Sequence, residues 1–327
     1  MGVQGLAESL DNSLLHLILH PTERCNFRCT YCYERFDIGR MPPWVVDGVR
    51  RLIASRDDLS TLQIGWFGGE PLVAMPVIRQ IARSAQAICA DRGIAYGSDM
   101  TTNGYRLDLA TLRECLDLGI DHFQISLDGD AADHDRTRVM ASGQGTFETI
   151  WRNVAAALAT PWSFRMVLRI HYHAGNLGSV HALIDRLCEA YEGEGRLSLF
   201  FKNVSPLGGP NDGAFPFLDR AHHAEARAGF LERLDGRLGT EGGAEGYICY
   251  ACKPNSLIVR ADGSLSKCTV ALYDDHNKVG RLRPDGTLDL DGARMAPWLE
   301  ALVRGDDEDR ACPVSRVARG AQAQVAV

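Results

Sequence analysis

The sequence predicts an α/β fold of repeated β-α units followed by a small cysteine-rich C-terminal domain, and three observations predict it. Between Leu14 and Asn203, short apolar or β-branched runs alternate with longer segments of helical period, the pattern of a chain that builds a parallel sheet. A Gly- and Pro-rich stretch, SPLGGPNDGAFP (Ser205 to Pro216), then closes the last unit. Seven of the ten cysteines fall in two groups near the two ends, Cys25, Cys29 and Cys32, then Cys249, Cys252, Cys268 and Cys312.

Six units can be placed. Their strands are LLHLILH (Leu14 to His20), LQIGWF (Leu62 to Phe67), AYGSDMTT (Ala95 to Thr102), HFQISL (His122 to Leu127), FRMVLRIHY (Phe164 to Tyr172) and LSLFFKN (Leu197 to Asn203). Most strands run into polar or Gly-containing loops, PTERC, GGEPL, NGYRL, DGDAAD and HAGN. Ligands collect at such carboxyl ends in parallel α/β folds. A charged helical segment follows from Asp219 to Leu238, then a second Gly-rich break, GTEGGAEG. The expected domains are residues 1–215, a helical linker 216–245, and a C-terminal domain 246–327. In the last, Asp262-Gly263 sits between alternating runs and predicts a hairpin with a type I′ turn. The final residues, ARGAQAQVAV, read as a frayed tail.

Composition narrows the function classes. With 327 residues, 45% of them apolar, the chain can bury a sizeable core. A net charge of −7 argues against nucleic acid as a partner, since phosphate-backbone binding needs basic patches. No apolar run reaches the length of a membrane span, and the acidic opening lacks the character of a signal peptide. A cytoplasmic location without membrane attachment is the expectation. In reducing surroundings ten cysteines point to metal or catalytic roles over disulfides. Cys89, Cys115 and Cys188 each sit alone on a helical pattern and read as small buried hydrophobes.

The first group, CNFRCTYC, has the form CxxxCxxC directly after the first strand. Three thiolates can hold an iron–sulfur cluster and leave one iron open. A structural zinc site wants four ligands and finds no fourth nearby; a redox pair of Cys29 and Cys32 leaves Cys25 unexplained. The spacing, with Tyr31 just before the third cysteine, resembles the signature of the radical S-adenosylmethionine (SAM) superfamily. The resemblance implies that the unique iron of a 4Fe-4S cluster binds SAM and that an electron cleaves SAM to methionine and a 5′-deoxyadenosyl radical, with binding and orientation left to the protein.

Loops at the other strand ends extend the resemblance. Gly68-Gly69-Glu70-Pro71-Leu72 matches the position of the family's GGE motif, which implies that Gly68, Gly69 and Glu70 hold the SAM amino group. Thr101-Thr102-Asn103-Gly104 and Ser126-Leu127-Asp128-Gly129, with His134, Asp135 and Arg138, resemble the TNG and S-x-DG...HDxxR patterns of the peptide-modifying branch. By that resemblance Tyr31, Asn103, Ser126 and Arg138 join the SAM site, with Ser126 on the ribose or carboxylate and Arg138 on the carboxylate. Asp128 is a candidate catalytic group or, with His134, a brace for its loop. Alternation places Arg169, His171 and His173 on one face of the fifth strand, so His171 is a further SAM or substrate contact, or a satisfied interior histidine. Thr146 is the expected N-cap of the helix after GQGTF.

The second group has the form Cys252-x10-Gly263-x4-Cys268, with Cys249 before it and Cys312 returning later. A four-cysteine zinc site fits the spacing. The pattern also resembles the SPASM and twitch extensions that bind auxiliary 4Fe-4S clusters, although the CxxCxxxxxC run of a full SPASM domain is missing. The resemblance, covering roughly residues 14 to 315, therefore implies a partial (β/α)6 TIM-type barrel with a twitch-like domain and one auxiliary cluster.

The implied activity is hydrogen abstraction from a peptide substrate, followed by oxidation or cross-linking such as cyclophane formation, in the maturation of a ribosomally made peptide. An external electron donor such as flavodoxin or ferredoxin would supply the electron. The alternatives are formylglycine formation of the sulfatase-maturase kind and, in another class, a non-catalytic metal-binding scaffold. Because the first strand starts so early, leader recognition is expected from the barrel, the C-terminal domain or a separate protein.

Overall fold

In the computed structural model the six expected strands appear as β1 (Leu14–Leu19), β2 (Thr61–Trp66), β3 (Ala95–Thr102), β4 (Ile120–Leu127), β5 (Arg165–Tyr172) and β6 (Leu197–Asn203). The structure describes residues 9–242, 246–304, 306–314 and 316–318. The expected tail, after Ala318, and residues 243–245 of the second Gly-rich break lie outside the described residues. Helices fill the gaps between strands: α1 (Pro43–Ala54), α2 (Met75–Arg92), α3 (Leu109–Asp117), α4 (Ala131–Thr137), α5 (Phe147–Leu158) and α6 (Leu177–Tyr191). Their ends follow local chemistry. Asp108 and Asp130 accept the first free N–H groups of α3 and α4, and α2 stops at Gly93 in the left-handed region.

The chain forms two compact units that do not follow it linearly. One gathers the described residues of Met1–Arg24, Phe36–Ser98 and Gly243–Val327. Its strands run in the order β11-β10-β9-β8-β1-β2, where β8 is Ser256–Val259, β9 Ser264–Ser266, β10 Gly280–Leu282 and β11 Leu288–Leu290. β1 is parallel to both β2 and β8, with Leu17 opposite Ile64 on one side and Leu257 on the other. Flanked on both edges, β1 carries an almost unbroken apolar run. Helix α8 (Gly292–Arg304) and the short α9 (Asp307–Ala311) complete this unit.

The other unit comprises Cys25–Arg35 and Asp99–Gly242. Here β4, β5, β6 and β7 (Gly239–Thr240) lie side by side, all parallel. The expected charged helix is α7 (Arg220–Leu234). It buries Phe230 against Tyr172 and Phe201 at ring separations of 5.1 and 5.3 Å. Neither unit closes its strands into a barrel among the described residues, so the α/β fold has an open sheet.

Two local expectations need correction. The β8–β9 hairpin has Arg260 and Ser264 as its closing pair and Gly263 N–H donating to the Arg260 carbonyl, with Gly263 at φ 79°. Asp262 is not in the positive-φ region that a type I′ turn demands at both central residues. The loop is therefore a three-residue connection whose glycine alone takes the left-handed conformation. At α5, Thr146 is the first residue outside the helix but does not cap it with its side chain. Asp135 Oδ1 accepts from the N–H of Thr146 and Phe147 at 2.7 and 2.9 Å, and the Thr146 hydroxyl instead donates to the Arg138 carbonyl.

Candidate active site

The CxxxCxxC loop is pinned along its length. Arg28 and Thr30 donate backbone N–H to the carbonyls of Val139 and Thr137, and Ala141 N–H donates to the Asn26 carbonyl. Asn211 Nδ2 holds the Thr30 carbonyl at 2.7 Å. The three thiols ride on this fixed loop, each partly exposed. Phe27 N–H points at Cys25 Sγ from 3.3 Å, and Asn103 Nδ2 stands 4.0 Å from the same sulfur while bonded to Asn26 Oδ1. N–H groups aimed at sulfur stabilise thiolates that bind a cluster. Burial raises the Cys29 thiol and pushes Cys32 up to about 12, helped for Cys32 by its neighbour Cys29. As free thiols they would stay protonated; metal coordination removes that proton outright.

Behind the loop lies a buried polar network on β4, β5 and α4. Tyr31 Oη donates to Asp128 Oδ1 at 2.9 Å, receives Arg138 Nη1 at 2.8 Å and lies 3.3 Å from His171 Nδ1. Thr137 donates to the other Asp128 oxygen at 2.7 Å. Burial works to raise the Asp128 carboxyl, but the His171 contact and the Arg138 charge overcome it and hold the group well below the usual range. Burial likewise brings His171 and His134 down to about 4, so both are neutral at neutral pH. His134 accepts the Asp128 N–H and meets Thr146 Oγ1 through its other nitrogen. Asp128 is fully enclosed, Ser126 is buried at the end of β4, and Arg138 Nε is buried with no hydrogen-bond partner. That nitrogen faces the Asp128 carboxylate at 3.9 Å, beyond hydrogen-bond reach but within ion-pair range.

In the other unit, Gly68 and Gly69 sit where no larger residue fits. Gly68 has φ 102°, and a Cβ at Gly69 would lie 2.6 Å from the carbonyl oxygens of both Glu23 and Arg24. The glycines are thus required by the close approach of the chain after β1, a packing reason that the motif alone does not reveal. Glu70 is fully buried, and its Oε1 accepts from Leu72 N–H at 2.9 Å.

In the same unit Cys249 and Cys312 lie within electrostatic range of each other and of both Cys252 and Cys268. Cys249 N–H donates to the Arg310 carbonyl, and Cys252 packs with Ile248, Ala301 and Leu302. Cys312 ends α9 and is exposed. Burial, with repulsion from Cys249 and Cys312, pushes Cys252 and Cys268 up to about 12. Among the described residues, no three His, Cys, Asp or Glu side chains converge on one metal position. A cubane cluster does not ask for that, because each thiolate binds a different iron.

Several residues here were missed in the sequence. Asn277, fully buried, receives the N–H groups of Lys267 and Cys268 on its Oδ1 and donates to the carbonyls of Cys268 and Ala271. Lys267 is itself buried, its Nζ on the carbonyls of Lys253 and Ser256. Burial pulls its ammonium down to about 7, against the opposing pull of the Cys252 and Cys249 thiolates. Glu23 and Arg260 form a buried two-pronged ion pair at 2.8 and 2.7 Å. Only the adjacency of Lys267 to Cys268 could have signalled any of them.

Comparison with known proteins agrees with this geometry. Residues 19–173 match the model of the Radical SAM superfamily. A PqqA peptide cyclase from Methylobacterium nodulans is 29% identical over 171 residues, 52% of this chain and 42% of that protein. One from Methylorubrum extorquens is 30% identical over 176 residues, 52% of this chain and 41% of its own. The match thus spans less than half the length of these relatives. Among solved structures, anSMEcpe with bound AdoMet and the Cp18Cys peptide superposes with a TM-score of 0.68 at 16% identity, over 93% of this chain and 87% of its own. Streptococcus suis SuiB bound to precursor peptide SuiA gives 0.61 at 16% identity, over 93% and 70%. At such identities the two structures speak for a shared fold. No helix among the described residues is long and apolar enough to cross a membrane. The stretch that matches the family model, residues 19–173, carries Cys25, Cys29, Cys32 and the Gly68-Gly69-Glu70 turn.

Proposed function

We propose that the chain is a radical SAM enzyme that abstracts a hydrogen from a peptide and leads it to oxidation or cross-linking, as in maturation of a ribosomally made precursor. The observation that carries the reading is the pinned CxxxCxxC loop, three thiols with two N–H groups directed at the Cys25 sulfur and the buried Arg138 cation on Tyr31. Cys25, Cys29 and Cys32 would hold a 4Fe-4S cluster, which with SAM supplies a 5′-deoxyadenosyl radical when an external donor provides an electron. Gly68, Gly69 and Glu70 would take the SAM amino group, Arg138 its carboxylate, and Asn103 and Ser126 would line the site. Asp128, enclosed and bonded to Tyr31 and Thr137, would fix the Tyr31–Arg138 arm in place. Cys249, Cys252, Cys268 and Cys312 would hold an auxiliary 4Fe-4S cluster of the twitch kind. The peptide as substrate is supported by what the relatives' names state, PqqA peptide cyclase, and by the precursor peptide bound to SuiB. A cytoplasmic setting suits oxygen-sensitive clusters.

Anaerobic reconstitution with iron and sulfide tests both metal sites. About eight irons per chain are expected, and about four after replacing Cys249 and Cys252 by Ala. About four irons in the unmodified chain would remove the auxiliary cluster. Adding SAM, reductant and a precursor peptide encoded beside the gene should yield peptide short of a hydrogen pair; unchanged peptide mass across such candidates would remove the peptide reading.

A further inference from the structure

Lys267 is fully buried between two cysteine-bearing segments, and nothing in the proposed chemistry uses it. A buried ammonium is costly unless paired and hydrogen-bonded. Its Nζ donates to the Lys253 carbonyl at 2.6 Å and to the Ser256 carbonyl at 2.5 Å. Lys253 directly follows Cys252, and Lys267 directly precedes Cys268, so this one side chain ties the two segments together. Carbonyl oxygens solvate a cation but do not neutralise it. The Lys253 carbonyl lies one residue from Cys252, and Lys267 one residue from Cys268, so thiolates holding a cluster would set negative charge beside the ammonium. Asn277 accepts the backbone N–H groups of Lys267 and Cys268, so the backbone that carries the ammonium is held as well.

We propose that Lys267 is the built-in cation of the four-cysteine site, a positioning residue that braces Cys252 against Cys268 and raises the reduction potential of the cluster they bind. The inference rests on reading those cysteines as ligands of an auxiliary 4Fe-4S cluster. Four thiolates give such a cluster a net negative charge that grows on reduction, and a fixed positive charge nearby favours the reduced form. The direction suits the proposed turnover. After its hydrogen atom is lost, the substrate radical passes one electron to the oxidised cluster and one proton to solvent, and an external carrier later removes the electron.

The test uses the full-length chain with Cys25, Cys29 and Cys32 changed to Ala, so that only the second site binds iron. In that background Lys267, Lys267→Gln and Lys267→Met are reconstituted anaerobically, assayed for iron and folded content, and titrated for midpoint potential by EPR. Gln keeps a donor for the carbonyls without the charge, and decides the matter if the Met variant fails to fold. About four irons per chain are expected with Lys267 and with Gln. The Gln variant should shift to a more negative midpoint, on the order of tenfold in the oxidised-to-reduced ratio, about 59 mV for a one-electron couple. An unchanged midpoint in the iron-loaded Gln variant overturns the role of Lys267. Failure of the auxiliary-cluster reading is distinct, because the Lys267 parent itself would then take up no iron.

Discussion

Replacing Asp128 by Asn should cost the fold about 3–5 kcal/mol, the loss typical when one partner of a buried ion pair is removed. The magnitude follows from the network. Arg138 Nε lies 3.9 Å from Asp128 Oδ1, both side chains almost wholly enclosed. A unit pair at that separation is worth roughly 4 kcal/mol at an effective dielectric near 20. Asn keeps an oxygen for the Tyr31 hydroxyl, but it turns an NH2 toward the Thr137 hydroxyl that now donates at 2.7 Å, and it leaves the guanidinium without its counter-charge. Equilibrium urea unfolding of the metal-free chain at pH 7, followed by circular dichroism, reads the difference. A loss below about 1 kcal/mol, the range of exposed ion pairs, would refute the claim that this is a buried, coupled pair.

Tyr31→Phe removes the hydroxyl shared by Asp128 and Arg138 and should destabilise by about 1–3 kcal/mol in the same assay, the cost of leaving buried partners unmet. Gly69→Ala drives a Cβ to 2.6 Å from two carbonyl oxygens, so the turn must shift; SAM affinity measured by equilibrium dialysis on reconstituted protein should fall while iron content stays. Asp135→Ala should cost about 1 kcal/mol by uncapping α5, read by thermal unfolding, and Thr146→Val, which strips a buried hydroxyl from the Arg138 carbonyl and from His134, should cost about 1–3 kcal/mol in the same measurement. Burial holds His16 down to about 4 from an ordinary 6.5. Between those pH values the unfolded chain takes up the proton and the folded chain does not, so stability present above pH 6.5 is lost on acidification toward pH 4, by about 3 kcal/mol at roughly 1.4 kcal/mol per pKa unit. His16→Gln should flatten that slope; an unchanged pH profile would contradict the burial argument.

Much of the fold was legible because β-α periodicity is a local signal. All six strands of the repeated units lie within two residues of where alternation put them, and β3 and β6 match to the residue. What could not be read was who pairs with whom. That β8 joins β1 in parallel follows from packing between segments more than 200 residues apart, with no trace in either stretch alone. Turn and cap chemistry failed for a related reason. Asp262-Gly263 fits two loop lengths, and Thr146 stood at the right position, but Asp135 outcompeted it from 11 residues earlier in the chain. At the site, spacing selected the cysteines and glycines, while the residues that hold them, Asn277, Lys267 and the Glu23–Arg260 pair, are ordinary polar residues that only burial makes distinctive.

The central claim is that Cys25, Cys29 and Cys32 support reductive cleavage of SAM. The direct measurement is 5′-deoxyadenosine by mass spectrometry after anaerobic reconstitution with iron and sulfide, then incubation with SAM and dithionite. The chain should form it, and a variant with those three cysteines changed to Ala should form none. A fully iron-loaded chain that yields no 5′-deoxyadenosine, or a triple variant that yields as much, would contradict the account.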